Sequence, residues 1–301
     1  MTWFVIAILA YFLFAIVFLI DKNLLTGPIQ NPKVYTFYTG LLRALVVFLI
    51  PFIDFNVPGV SQIILSFLAG GFFVAALFWF FKGLQLFEPS RVVPAIGGVV
   101  PIFIFFFVFI ISLGEEIPAS LHILALIFLI CGSVLISYDK TKKISFGSLR
   151  ISLPASFFFA ISAVLVKYVY LAQPFLQGFI WINIGGFLTT MFLLLFKEVR
   201  DSLFKIKIKM PKKTAAIFIS NQAMGAGANI LLNWAIALTP LAYVAITSAL
   251  QGTQYVFLLG LALILSFKFP QILKEEISKE IIFQKVVAIL LIGGGLTLLV
   301  L

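Results

Sequence analysis

Apolar residues in this chain gather into long runs separated by short polar stretches. A helix that crosses a bilayer needs about 20 mostly apolar residues. Ten runs meet that length: 3–20, 34–53, 62–81, 91–113, 119–137, 151–170, 176–196, 214–237, 241–266 and 281–301. The pattern predicts ten transmembrane helices. The longest connections, 138–150, 197–213 and 267–280, leave no room for a soluble domain. The first run, "MTWFVIAILAYFLFAIVFLIDK", has no basic segment ahead of it and no small-residue cleavage site. It reads as a retained helix rather than a signal peptide.

Composition supports this reading. The chain has 301 residues, of which 62% are hydrophobic and 11% charged, against about 25% charged in soluble domains. The net charge of +10 would suggest nucleic acid in a soluble protein. Here eighteen of the 21 Lys and Arg fall in connections after odd-numbered runs, or at the helix ends beside them, and none after even-numbered runs. Membrane topology explains that asymmetry, so no nucleic-acid partner is expected. Positive loops stay on the cytoplasmic side. The odd connections are therefore expected in the cytoplasm, with both chain ends outside. The stretch "SLFKIKIKMPKK" (202–213) reads as a basic cytoplasmic loop, or as a segment lying on an anionic membrane surface.

An internal repeat follows. "FAIVFLIDK" (14–22) returns as "FAISAVLVK" (159–167). "LFEPSRVVPAIGGVVP" (86–101) is matched by "ALTPLAYVAITSALQG" (237–252). "GEEIPASLHILALIFLICGSVLI" is matched by "KEEISKEIIFQKVVAILLIGGGLTL", with "KFPQILK" inserted before the second copy. The matches keep their order. They divide the chain into two five-helix units, 1–144 and 145–301. Five is odd, so the second unit crosses the membrane in the opposite sense. The expected fold is an all-α polytopic membrane protein of two inverted five-helix repeats, a plan common among transporters with a midplane site.

Helix-breaking residues fall at matching places in both units: Pro94, Gly97, Gly98 and Pro101 in the fourth run, and Gly252 in the ninth. Broken or kinked helices are tolerated in lipid only where they face protein or water. These positions are expected to bend the helices that line the pathway. Pro89 and Pro240 suit the first turn of a helix instead.

The sequence from the third run through "FEPS" into a proline-containing helix, then "LGEEIP" and "LICGSVLIS", resembles the EamA-type drug/metabolite transporters. The second half follows with "ALTPLAYVAITSALQG", "EEI" and "LIGGGLTLL", and Arg43 in "LLRALVVFLI" is similar to an arginine common in that family's second helix. The resemblance spans essentially the whole chain. It implies a ten-helix carrier of the plasma (inner) membrane, with helices 1–4 and 6–9 around a central cavity and helices 5 and 10 outside it. It also implies export of small metabolites such as amino acids, and both chain ends in the cytoplasm, against the charge rule.

Polar residues within the apolar runs nominate the pathway. Arg43 lies mid-run, where a charge costs about 2.5–3.5 kcal/mol, so it should face the bundle interior. Lys167 and Lys285 lie nearer helix ends and are expected to snorkel. In the eighth run Gln222, Asn229 and Asn233 are spaced to share one face, either as contacts for substrate or as hydrogen-bonding glue between helices. Ala223, Gly225 and Gly227 beside them would permit close packing. The ninth run adds Gln251, Gln254 and Tyr255, the seventh Trp181 and Asn183, and Tyr38 and Trp79 complete the set.

All eleven acids, Asp21 among them, fall at or beyond the ends of the runs. With no carboxylate mid-membrane, a neutral, zwitterionic or anionic substrate is expected. The lone Cys131 reads as a small buried hydrophobe, and the lone His122 supports no metal site or catalytic triad. No metal and no cofactor are expected. The lack of a phosphate-cradling Gly motif argues against ATP as driver. The Gly293–Gly295 run would support either a homodimer contact or packing within the chain. A flippase for a lipid-linked substrate is the alternative on the same fold. An enzyme would need clustered acids or histidines; the pairs Glu115-Glu116 and Glu275-Glu276 are expected on opposite faces.

Overall fold

The computed structural model describes residues 2–87, 89–137, 146–204, 211–268 and 279–300. Every regular element among the described residues is helical. The order is α1 (Thr2–Thr26), α2 (Pro32–Leu41), α3 (Val60–Leu86), α4 (Pro89–Ile111), α5 (Ser120–Ser137), α6 (Phe146–Ala172), α7 (Phe175–Met191), α8 (Lys197–Phe204), α9 (Lys212–Leu238), α10 (Val244–Ala249), α11 (Gln251–Lys268) and α12 (Lys279–Val300).

Among the described residues seven spans are long and apolar enough to cross a membrane: Thr2–Thr26, Pro32–Phe52, Val60–Leu86, Val92–Ile111, Arg150–Ala172, Phe175–Leu195 and Lys212–Leu238. The protein is therefore a multi-pass membrane protein. At the fifth and tenth predicted runs stand shorter apolar helices, Ser120–Leu135 and Val286–Leu299. The inserted "KFPQILK", Glu275-Glu276 and the centre of the basic stretch 202–213 lie outside the described residues, as does the Lys285 side chain.

Outward faces carry large apolar side chains such as Phe48, Phe106, Phe192 and Leu290. In a bilayer that surface meets acyl chains, and the bundle is held by close packing and interhelical hydrogen bonds. The most extensive contacts pair α3 with α6, α1 with α9 and α5 with α12. Small residues allow backbones to approach closely where α3 crosses α7. A Cβ at Gly70 would meet the backbone of Ile182 and Gly186, and one at Gly185 would meet the backbone of Phe67. Ser162 Oγ, on α6, donates to the Ala69 carbonyl of α3 at 2.8 Å.

Two lysines stitch helix ends. Lys22 Nζ, on α1, donates to the carbonyls of Leu84 and Phe87 at 2.9 Å each, covering the C-terminus of α3. Lys167 Nζ, on α6, donates to the Ala237 carbonyl at the C-terminus of α9, at 3.0 Å. Lys167 is 4% exposed, so it does not snorkel. A helix's last carbonyls have no partner within the helix, and in lipid a cation aimed at them meets that demand. At the start of the second span Lys33 pairs at 2.8 Å with Glu198, which lies outside the spans, and holds that carboxyl below the usual carboxylate range.

The expected bending positions divide between a continuous helix and a break. Pro94 and Pro101 lie inside α4, which runs unbroken from Pro89 to Ile111. Each proline removes one backbone donor, and hydroxyls from other helices bond other carbonyls of α4. Ser156 Oγ donates to the Ile96 carbonyl at 3.4 Å, and Tyr255 Oη to the Val93 carbonyl at 2.9 Å. The ninth run does break, between α10 and α11 at Leu250, just ahead of Gly252. A second irregularity lies in the second run. Beyond α2 the chain continues as an eleven-residue 3-10 helix, Leu42–Phe52. Runs of that type beyond three or four residues are uncommon and often mark a hinge or strain.

Small-residue expectations divide. A Cβ at Gly225 would make ordinary contact with Val17, while Gly227 faces open space, so Gly227 permits no close approach. Gly294 and Gly295 face Phe128 and Leu129 of α5 in the same chain. Cys131 is exposed on the bundle surface rather than buried.

Candidate functional site

Two neighbouring cavities among the described residues lie within the bundle. The larger, about 400 Å³, is walled by α1, α2 and its 3-10 continuation, α3, α7 and α9. The smaller, about 140 Å³, lies among α1, α3, α4, α6, α9, α10 and α11. They share Phe14, Phe18, Phe73, Leu77, Phe80 and Asn229, so one aromatic constriction separates them. Phe18 and Phe80 form its tightest described ring pair, with centroids 4.6 Å apart.

Arg43 sits in the wall of the larger cavity, where the 3-10 segment begins. One guanidinium nitrogen, Nη1, donates to Asn183 Oδ1 at 2.8 Å, and the group lies over the Phe73 ring at 4.4 Å. Its buried Nε has no partner. Asn183 is itself oriented by donating to the Phe179 carbonyl, so its oxygen is presented to Arg43. Gly186 leaves space for the arginine stem, since a Cβ there would crowd Arg43 Cδ.

The same lining includes Asp21, which the sequence placed at a helix boundary. The helix in fact runs on to Thr26, and Asp21 is 2% exposed. Tyr35 Oη donates to its Oδ1 at 2.5 Å, and Asn221 Nδ2 donates to the same oxygen at 2.6 Å. Gln222 Nε2 donates to Tyr35 Oη at 3.4 Å and also lines the cavity. The expectation that every acid lies at or beyond a helix end is corrected here. The overlooked signal was the continuation "KNLL": Leu24 and Leu25 are buried, extending the apolar face past the acid.

The face predicted on the eighth run is α9. Gln222 and Asn229 line the larger cavity, and Asn229 and Asn233 the smaller. Asn233 Nδ2 donates to Asn229 Oδ1 at 2.6 Å, and Tyr170 Oη donates to Asn233 Oδ1 at 2.8 Å. Gln251 and Gln254 line the smaller cavity, and both amide atoms of Gln254 are buried without a partner.

Four predicted residues lie outside both linings. Tyr38 packs edge-on against Phe37 and Phe218, and Trp79 carries Lys82 over its ring. Trp181 stacks on Phe55 with a buried, unpartnered Nε1. Tyr255 fills the space left by Gly97 of α4 and donates to the Val93 carbonyl. Pro94, Gly98 and Pro101 are buried in α4, and Gly252 packs near Ser133 and Ile292.

Among the described residues no cluster of His, Cys, Asp or Glu could hold a metal ion. His122 meets the Tyr243 ring edge-on instead. The site is an apolar chamber with a few amide groups, one arginine and one carboxylate. Such a lining can hold a small amphipathic molecule.

No family model matches the sequence. No curated protein matches it either. Among solved structures 28 chains match. One of them, described only as the crystal structure of a protein, is 16% identical and superposes with a TM-score of 0.61. It covers 99% of this chain and 94% of its own. At that identity the likeness establishes a shared fold over the full length of the chain, and the fold alone.

Proposed function

We propose that the protein is a secondary transporter that exports small metabolites such as amino acids, working by alternating access as an EamA-type member of the drug/metabolite transporter superfamily. The observation that carries this reading is the larger cavity. It is of a size typical for small-molecule sites, about 300–1,000 Å³, and Arg43 and Asn183 stand together in its lining.

The two-unit plan, 1–144 and 145–301 with ten crossings, is supported by contacts that recur between repeat-matched positions. Lys22 and Lys167 occupy the same place in the two copies, and each covers the end of the third helix in its own unit. Tyr11, on α1, donates to the Thr247 carbonyl of the other unit, and its repeat counterpart Ser156, on α6, donates to the Ile96 carbonyl. Two units related in this way can rock about the chamber between them.

Proteoliposomes test the proposal. Saturable flux of amino acids or other small metabolites is expected for the wild type, with loss in Arg43→Ala and Asn229→Ala at intact folding. Wild-type vesicles that pass no soluble metabolite would sink it. A flippase for a lipid-linked substrate is favoured by one observation. Leu45, Leu49, Ile219 and Ile230 line the cavity and are also exposed on the bundle surface, which opens it sideways toward lipid. Transfer of a lipid-linked substrate between leaflets, without metabolite flux, would establish that reading instead.

A further inference from the structure

A carboxylate in a bilayer-spanning helix is costly unless a cation or a proton neutralises it. Asp21 is 2% exposed and borders the larger cavity. Among the described residues no Lys or Arg forms an ion pair with it. The charged and titratable groups on the helices around it are committed elsewhere. Lys22, next in sequence, donates to the carbonyls of Leu84 and Phe87. Arg43, on the same cavity, donates to Asn183. Lys82 of α3 lies over Trp79, and Tyr255 of α11 donates to Val93. From α9 only neutral amides, Asn221 and Gln222, face it. From α2 the facing group is Tyr35.

Both hydrogen bonds to Asp21 fall on Oδ1. Among the described residues Oδ2 receives none, which leaves it as the place for a proton arriving through the cavity. The donors also matter for motion. Tyr35 stands on α2 in the first unit and Asn221 on α9 in the second, so ionised Asp21 ties the units together across the chamber. Protonation removes the charge that strengthens those two bonds and loosens that tie.

We infer that Asp21, clamped by Tyr35 and Asn221 at the edge of the larger cavity, is a proton-binding site whose occupancy is exchanged against substrate. This rests on the transporter reading above. In the cycle one proton binds Oδ2 from one side of the membrane, leaves to the other, and the carboxylate is restored. The expected exchange is one proton inward for one substrate outward.

Infrared difference spectroscopy across a pH titration of the reconstituted protein tests the site without reference to transport. A protonated-carboxyl band that titrates in the wild type and is missing from Asp21→Asn is expected. Tyr35→Phe and Asn221→Ala each remove one donor and should shift that transition by about one pH unit. Absence of the band in the wild type overturns the inference. Where Asp21→Asn fails to fold, an unshifted transition in Tyr35→Phe overturns it.

Vesicles offered a mixture of radiolabelled amino acids test the coupling. A gradient of one pH unit sustains up to about tenfold accumulation by one-for-one exchange. The wild type should approach that, and Asp21→Asn, which has no carboxylate to take up the proton, should lose the accumulation. Accumulation by Asp21→Asn equal to wild type, or driven by sodium instead of pH, overturns the coupling. Wild-type vesicles without flux count against the transporter reading itself, and the infrared result then decides the proton site alone.

Discussion

Lys22 and Lys167 show what a single side chain is worth in this fold. Each Nζ meets carbonyls that no helix can satisfy from within. A charge-assisted hydrogen bond contributes about 1.5–3 kcal/mol. Lys167→Met should therefore lower the thermal midpoint in detergent. Lys22→Met, which loses bonds to both Leu84 and Phe87, should lower it further. Gln254 points the other way. Its amide is fully buried and both polar atoms lack partners. Replacing it by leucine should stabilise the bundle by about 1 kcal/mol and reduce flux through the smaller cavity. A destabilised Gln254→Leu would mean that the amide is satisfied through water in the chamber. At this scale Arg43 was legible, because a charge inside a long apolar run has few places to go. Lys167 and Asp21 were misplaced, because a residue near the end of a run can snorkel or bury, and only its neighbours decide.

Among elements, α3 and α7 cross where glycine backbones meet. Gly70→Ala would place a methyl in the Ile182 carbonyl. Overpacking of a tight interface costs about 1–3 kcal/mol, so a clear loss of thermal stability is expected. Gly227→Ala is the opposite case. Nothing lies within 4 Å of the added methyl, and alanine is favoured over glycine inside a helix by about 0.8–1.0 kcal/mol. That variant should melt higher than wild type, and the two measured together separate packing from propensity. The α4 prolines carry the related lesson. Pro94 and Pro101 were expected to bend α4, which runs as one helix from Pro89 to Ile111, while the ninth run divides at Leu250 into α10 and α11, just ahead of the expected hinge at Gly252. In α4, donors from Tyr255 and Ser156 come from helices far away in sequence.

For the whole molecule, orientation follows from where the positive charge lies. The Lys33–Glu198 pair joins two connections after odd-numbered spans, which places both on one side. With Cys131 replaced by alanine, a cysteine introduced at Glu198 should react with an impermeant maleimide only from the cytoplasmic face. One introduced at Gly59, exposed between the second and third spans, should react only from outside. The reverse pattern would favour the orientation implied by the EamA-type resemblance over the charge rule.

By itself the sequence determined that this is a multi-pass helical protein and roughly where its helices run. The reason is the bilayer, which demands that every backbone group be bonded within the segment, so a long apolar run has one conformation open to it. It also nominated Arg43, Asn183, Gln222 and Asn229, since polar groups in such runs face inward. Tertiary structure alone decided that these four share one chamber, that α4 stays whole, and that Asp21 belongs inside. Those outcomes rest on contacts between residues far apart in the chain, as between Asn221 and Asp21, 200 positions apart. Burial of a polar group depends on which partner arrives beside it, and no local pattern carries that information.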